Sequence, residues 1–485
     1  MKRRDVLRLG AGAVALGAGV PLGARLLAPA QPGRLLRSAA PLPPRFRVPL
    51  PIPPVLSPVR RDGSTDYYEV TQRPALLGIL PGLRTGAWTY GGSFPGPTIV
   101  SRAGRRTVVR HRNELPAPVV VHLHGGHTPA VSDGYPMDMV MPRMPGMDHP
   151  RDYDYPMNQR AATLWYHDHS MGRTGANIWR GLAGFHLVHD DEEETLALPT
   201  GERDIPLMIV DRSFAEDGSM PYPEMVHEGV LGDVVLVNGA AWPVLTVDRA
   251  RYRLRLLNAS NARRYRLVLD PQPSGGKALV QIGSDGGLLD RPRAHDALEI
   301  SPGERFDVVV DFGRYPAGSR VRLVNTLGED STKDVMQFRV EGGKSDDSRV
   351  PDRLGGVRPM DPADAVRTRT FLFRQSSDGQ WTINDAAYRP GRALARPRLG
   401  EMEIWRFVTD FHHPVHVHLD PFQVIARNSG GPGAYDAGWK DTVDVRPAEA
   451  VAVAVRFTDY TGTYLMHCHN LEHEDMAMMA EFVTA

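Results

Sequence analysis

The sequence predicts an all-β protein built from three consecutive β-sandwich units. Gly (48) and Pro (42) are abundant, the usage of short strands joined by turns rather than of long helices. At roughly 150 residues per domain, a chain of 485 residues leaves room for three. Strand-like stretches that end in related turn signals also recur three times along the chain.

The chain opens with a leader. Arg3 and Arg4 begin the segment Arg3-Arg4-Asp5-Val6-Leu7, an apolar Gly/Ala-rich run follows from Leu9 to about Leu22, and Ala28-Pro29-Ala30 supplies a small-residue cleavage site. This resembles a twin-arginine export signal over residues 1–30. The run falls short of the ~20 apolar residues a membrane span needs, and glycine interrupts it, so no stable membrane anchor is expected. The mature protein is therefore expected outside the cytoplasm, extracellular or in the periplasm or cell envelope. Residues 31–60, rich in Pro and Arg, read as an arm rather than a domain.

The three units are expected at 61–190, 200–345 and 366–485. The acidic run Asp190–Glu194 reads as a solvated linker, and residues 342–365 as a second, polar one. Phe94-Pro95-Gly96-Pro97 in the first unit aligns with Val237-Asn238-Gly239-Ala240 in the second and Ile383-Asn384-Asp385-Ala386 in the third. A hydrophobic strand and a turn follow each, at Arg112-Asn113-Glu114, Leu257-Asn258-Ala259 and Val408-Thr409-Asp410. The next strands are Val121-His122-Leu123-His124, Tyr265-Arg266-Leu267-Val268 and Val415-His416-Val417-His418. Units one and three thus carry histidines where the middle unit has none. Lys plus Arg equals Asp plus Glu, 57 each, so no basic field invites a nucleic acid.

Ten of the 18 histidines fall into four short clusters: His122/His124, His167/His169, His413/His416/His418, and His467/His469/His473. In a strand, residues i and i+2 face the same side, so each His-x-His presents two imidazoles together, to one metal or to adjacent ones. Neutral nitrogen donors suit copper, iron, nickel or zinc. Cys468, the single cysteine, lies between His467 and His469 and so faces the opposite side of that strand. His413, His473 and Met478 are its available partners, and one Cys, two His and a weak Met form the ligand set of a blue-copper electron-transfer site. An electron arriving at the Cys468 thiolate would cross one peptide unit to reach either flanking histidine. Asp168 holds the corresponding place in unit one, and a carboxylate there cannot make a blue-copper site.

These four clusters, in this order and spacing, resemble the multicopper oxidase family, and within it the spore-coat laccases and bilirubin oxidases. His124-Gly125-Gly126, Asp133-Gly134-Tyr135, Leu164-Trp165-Tyr166-His167-Asp168-His169 and Asn470-Leu471-Glu472-His473-Glu474-Asp475 extend the likeness over nearly the whole mature chain. The resemblance implies cupredoxin-like Greek-key sandwiches and four copper ions. It assigns His413, Cys468, His473 and axial Met478 to a type 1 copper, and His122 and His416 to a type 2 copper. His124, His167 and His469 would hold one type 3 copper, and His169, His418 and His467 the other. In similar laccases, carboxylates matching Asp133 and Glu474 supply protons for dioxygen reduction; bracing a ligand histidine is the plainer role, and the two are compatible.

Met137, Met139, Met141, Met144 and Met147 crowd a Pro/Gly-rich stretch. Thioethers favour Cu(I), but an apolar loop packing over the site is the simpler reading, because Met fills irregular gaps. The leading function implied is a laccase-like oxidase of phenols, aminophenols or tetrapyrroles such as bilirubin, with dioxygen as acceptor. A cuprous oxidase and a copper-free scaffold are the alternatives; a scaffold has no use for ten clustered histidines and Cys468. The donor is expected to bind near His473, at the exposed edge of the type 1 site.

Overall fold

A computed structural model describes residues 33–223, 226–343 and 346–485; the expected export signal at 1–30 lies outside them. Apart from a two-stranded pairing of Arg34–Leu35 with Val230–Leu231, the strands fall into three pairs of sheets. The first pair runs from Arg60–Arg61 to Ala183–His189, the second from Asp204–Arg212 to Asp334–Val340, and the third from Arg367–Gln375 to Met479–Thr484. The first and third pairs each enclose an apolar cluster, and the second pair's core runs on into Trp165, Phe185 and Leu187 of the first, at about 1.5–3 kcal/mol for each large side chain withdrawn from water.

The threefold repeat is visible in the pairing. Thr65–Leu77 runs parallel to Arg106–Asn113, Asp204–Arg212 to Arg251–Asn258, and Arg367–Gln375 to Met402–Thr409. The second strand of each couple ends on the turn residue expected: Asn113, Asn258 or Thr409. The preceding hairpin corrects the alignment made from sequence. Asn238/Gly239 and Asn384/Asp385 have positive φ, and their counterpart in the first sandwich is Gly91/Gly92, closed by a Tyr90–Ser93 bridge like that of Ile383–Ala386. Pro95-Gly96 lies just downstream. Two successive positive-φ residues suit Asn-Gly, Asn-Asp and Gly-Gly alike, so conformation is kept where the letters differ.

Two connecting segments differ from expectation or extend it. Asp191–Glu194 forms a short helix capped by Asp190, with Asp191, Glu192 and Glu194 exposed as expected and Glu193 turned inward. Glu193 is only 6% exposed and pairs with Arg253 of the second sandwich at 2.6 Å, while Arg102 takes up Asp191 and Glu194. A buried carboxylate needs such partners. The segment 342–365 is pinned to the third sandwich by Gln423, whose Oε1 accepts from Met360 N at 2.9 Å and whose Nε2 donates to Arg358 O at 2.8 Å. The N-terminal arm pairs along both earlier sandwiches, Pro49 bridging to Val244 and Val55 to Thr98. Among the described residues no helix is long and apolar enough to cross a membrane.

Candidate metal centre

Register brings the histidine pairs together. Val121–His124 pairs with Ala162–Asp168 so that His122 faces His167, and His413–Val417 pairs with Gly462–Cys468 so that His416 faces His467. All ten clustered histidines and Cys468 are at most 1% exposed. Burial pushes the His167 imidazole down to about 3 and that of His169 to about 4, which keeps both neutral with a lone pair to give.

Among the described residues five groups of possible ligands form: His122/His124/His416, His124/His167/His469, His169/His418/His467, His413/Cys468/His473 and His122/Asp133/His418. His122 and His124 share the first group, and His124 belongs also to the second; the other three His-x-His pairs are each divided between groups, so they straddle neighbouring sites. Hydrogen bonds fix which nitrogen is free. A carbonyl oxygen only accepts, so the Nδ1 atoms of His122, His416, His167 and His467 must donate to the carbonyls of Asp133 (2.5 Å), Asp441 (2.9 Å), Asp168 (2.8 Å) and Cys468 (3.1 Å). Their Nε2 atoms are left as donors to a metal. The Nε2 atoms of His122 and His416 stand 3.4 Å apart, and those of His169 and His418 lie 3.3 and 3.2 Å from that of His467.

His124 is reversed. Its Nε2 faces Asp441 Oδ1 at 3.0 Å and Thr442 Oγ1 at 3.1 Å, and its buried Nδ1 has no partner. His167 Nε2 and both nitrogens of His469 are likewise buried without partners. Clustered neutral nitrogens with nothing to bond are costly unless an ion takes them, so these residues fit copper.

On the far face of the Gly462–Cys468 strand, Cys468 Sγ is 3.4 Å from His413 Nδ1 and 3.6 Å from His473 Nδ1, and the two nitrogens are 3.2 Å apart. The centre of that triangle is about 2 Å from each corner, the length of a metal–nitrogen bond. Burial pushes the free Cys468 thiol well up, so the thiolate forms together with metal binding. Met478, fully buried in the same core as Cys468, has its carbonyl bonded by Cys468 N at 3.1 Å. His473 is not at an exposed edge as expected. It is 1% exposed, and Trp381 stacks on it with ring centroids 3.8 Å apart; Phe411, 38% exposed, packs edge-on against that indole.

Asp133 and Glu474 both sit on ligands. The Asp133 carbonyl holds His122, and its Oδ2 accepts from His418 Nδ1 at 2.7 Å. Glu474 lies 3.1 Å from His467 Nδ1 and 3.7 Å from His169 Nδ1. Burial raises the Asp133 carboxyl well above its ordinary value. Burial would raise Glu474 too, but the His467 and His169 imidazoles hold it below the usual range. Asp168 instead accepts from Val120 N, Ser170 N, Ser170 Oγ and Asn177 Nδ2.

A cavity of about 570 Å³ reaches His122, His416 and His418, with Gly126 and His127 on one wall and Met360 of the 342–365 segment on another. The five clustered methionines are 37–50% exposed. Sequence reasoning missed Asp441, Thr442, Trp381 and Trp165. Trp165, 4.2 Å from the His167 ring, was within reach of the i, i+2 rule; Asp441 and Trp381 lie in strands or turns with no metal-ligand spacing.

The multicopper oxidase family profile matches residues 77–193 and again residues 361–485. A laccase from Bacillus stratosphericus is 37% identical over 89% of this chain and 97% of its own. A bilirubin oxidase from Albifimbria verrucaria is 37% identical over 90% and 81%. The crystal structure of a multi-copper oxidase from Pediococcus acidilactici superimposes with a TM-score of 0.85 at 32% identity, covering 93% of each chain.

Proposed function

The chain belongs to the multicopper oxidase family as a laccase-like copper oxidoreductase that uses dioxygen, and from that premise we propose its copper stoichiometry, its donors and its proton-handling groups. His413, Cys468, His473 and Met478 would hold a type 1 copper; His122 and His416 a type 2 copper; and His124/His167/His469 and His169/His418/His467 the two type 3 coppers. The Sγ–Nδ1–Nδ1 triangle at 3.2–3.6 Å is the observation that carries this reading. When bound, copper supplies one-electron redox chemistry at the Cys468 set and reduction of dioxygen to water at the other three.

The protein's own part is arrangement. Cys468 is bonded through the backbone to His467 and His469, so a single peptide unit joins the two regions. Trp381 covers His473 and the exposed Phe411 packs on Trp381, so a donor meets an aromatic surface, which suits phenolic, aminophenolic or bilirubin-type molecules. Asp133 and Glu474 touch ligands of the trinuclear region, where four protons are consumed per dioxygen; they relay those protons while bracing the imidazoles. The cavity over His122 and His416 admits dioxygen and releases water. The Arg3-Arg4 leader would export the protein by the twin-arginine route, to the cell envelope or beyond.

Cuprous oxidation is a second reading, favoured by the exposure of Met137, Met139, Met141, Met144 and Met147, since thioethers in solvent can collect Cu(I). Oxygen uptake with a phenol, an aminophenol, bilirubin and Cu(I), on protein carrying four coppers per chain, tests both. Organic donors should support turnover. Replacing all five methionines by Leu should depress Cu(I) oxidation and spare phenol oxidation; equal effects, or none, would dismiss the second reading.

A further inference from the structure

The middle sandwich supplies no ligand, yet it touches the trinuclear region directly. Gly303 is pressed so close to two imidazoles that an added Cβ would lie 2.9 Å from His469 and 3.2 Å from His124. Two residues on, Arg305 is fully buried and uses all five of its N–H groups. Nε donates to Thr163 O of the first sandwich at 3.0 Å. Nη1 and Nη2 donate to Gly303 O and Asp285 O of the second at 3.0 and 3.1 Å. The same two nitrogens grip the Asp441 carboxylate of the third, at 2.7 Å to Oδ1 and 2.5 Å to Oδ2. One side chain thereby ties together all three sandwiches at the metal centre.

Asp441 passes this constraint on. Its Oδ1 faces His124 Nε2 at 3.0 Å, and its carbonyl accepts from His416 Nδ1 at 2.9 Å. Asp285 holds the same segment through the N–H groups of Asp441 and Thr442, at 3.2 and 3.3 Å. His124 is the imidazole whose Nε2 is occupied and whose Nδ1 is free, the reverse of His122, His167, His416 and His467. The carboxylate that imposes this tautomer is itself fixed by Arg305.

We propose that Arg305, from the ligand-free middle sandwich, is a positioning residue of the trinuclear copper site: by clamping Asp441 with its planar fork it fixes His124 with Nδ1 as ligand atom and His416 in register. The fork matters, because lysine offers a point charge without two parallel donors. The inference rests on the trinuclear reading above.

The test compares wild-type and Arg305→Lys holoprotein by copper count, blue absorption, electron paramagnetic resonance and competition with a chelator. The wild type must first show four coppers and a non-blue cupric signal beside the blue one; without that signal the trinuclear reading itself fails, whatever the variant does. Arg305→Lys should keep the full blue band and surrender non-blue copper 10- to 100-fold more readily, the usual consequence of losing a partner of a ligating histidine. Its remaining non-blue signal should have altered hyperfine splitting, which general loosening of the fold would not cause. If that variant fails to fold, Asp441→Asn, which keeps the side chain's shape, carries the same expectations. Folded variant protein with unchanged chelator resistance and an unchanged non-blue signal would overturn the proposal.

Discussion

The first and third sandwiches carry the same strand motif, and only the third brings a cysteine together with two histidines. In each, a His-x-His strand pairs with a second His-x-His strand in the same register, His122 against His167 and His416 against His467. Asp168 N donates to Leu182 O as Cys468 N donates to Met478 O. By this register Val119, Asp168 and Leu182 of the first sandwich stand where His413, Cys468 and Met478 stand in the third. The inward-facing histidines are kept in both. On the opposite face, Asp168 is spent on four hydrogen bonds to its own neighbourhood, and the helix Thr174–Arg180 occupies the connection that, in the third sandwich, delivers His473. The difference shows that the histidine groups draw on both sandwiches, whereas the Cys468 group is one sandwich's addition to a shared frame.

Among changes that leave all the copper-holding residues in place, the largest effect is expected at Glu474, which the third sandwich alone provides. Glu474→Gln should lower steady-state turnover by about 10²-fold, the scale of a lost proton donor. Anaerobic bleaching of the blue band by donor should keep the wild-type rate, and copper content should stay full. Asp133→Asn should behave alike. Copper loss in place of slow reoxidation would assign both residues to bracing alone.

A smaller effect is expected at Trp381, which has no metal to hold and covers one ligand. Trp381→Ala should open His473 to donors and speed anaerobic bleaching by bulky phenols several-fold, with reoxidation by dioxygen unaltered. Unchanged rates for bulky and small donors alike would place electron entry elsewhere.

The smallest catalytic effect belongs to Asp168. Asp168→Ala leaves buried donors on Val120, Ser170 and Asn177 without an acceptor, a cost of about 3 kcal/mol. The urea midpoint should fall while the blue band keeps its intensity. Loss of the blue band would mean that the two faces are not independent.

Much of this was legible in the sequence, for identifiable reasons. A period of two determines which side of a strand a residue faces, so Cys468 could be separated from His467 and His469 without coordinates. Positive-φ turns tolerate several residue pairs, which is why Gly91/Gly92 escaped the alignment although its partners Asn238/Gly239 and Asn384/Asp385 were found. Burial is not written locally. Glu193 looked solvated because its partner Arg253 lies in another sandwich, and His473 looked exposed because Trp381 comes from a distant strand. Arg305 and Asp441 were invisible for the same reason: their meaning depends on three sandwiches meeting at one point.

The central claim is that Cys468, His413 and His473 form one electron-accepting site, chemically separate from a trinuclear site one peptide unit away. Copper quantitation and visible absorption on Cys468→Ser tests it most directly. The blue band should vanish, about three of four coppers should remain, and oxidation of organic donors should stop, because hydroxyl is a poor substitute for a soft thiolate. A Cys468→Ser protein that stays blue, or that loses all its copper while folded, would contradict the account.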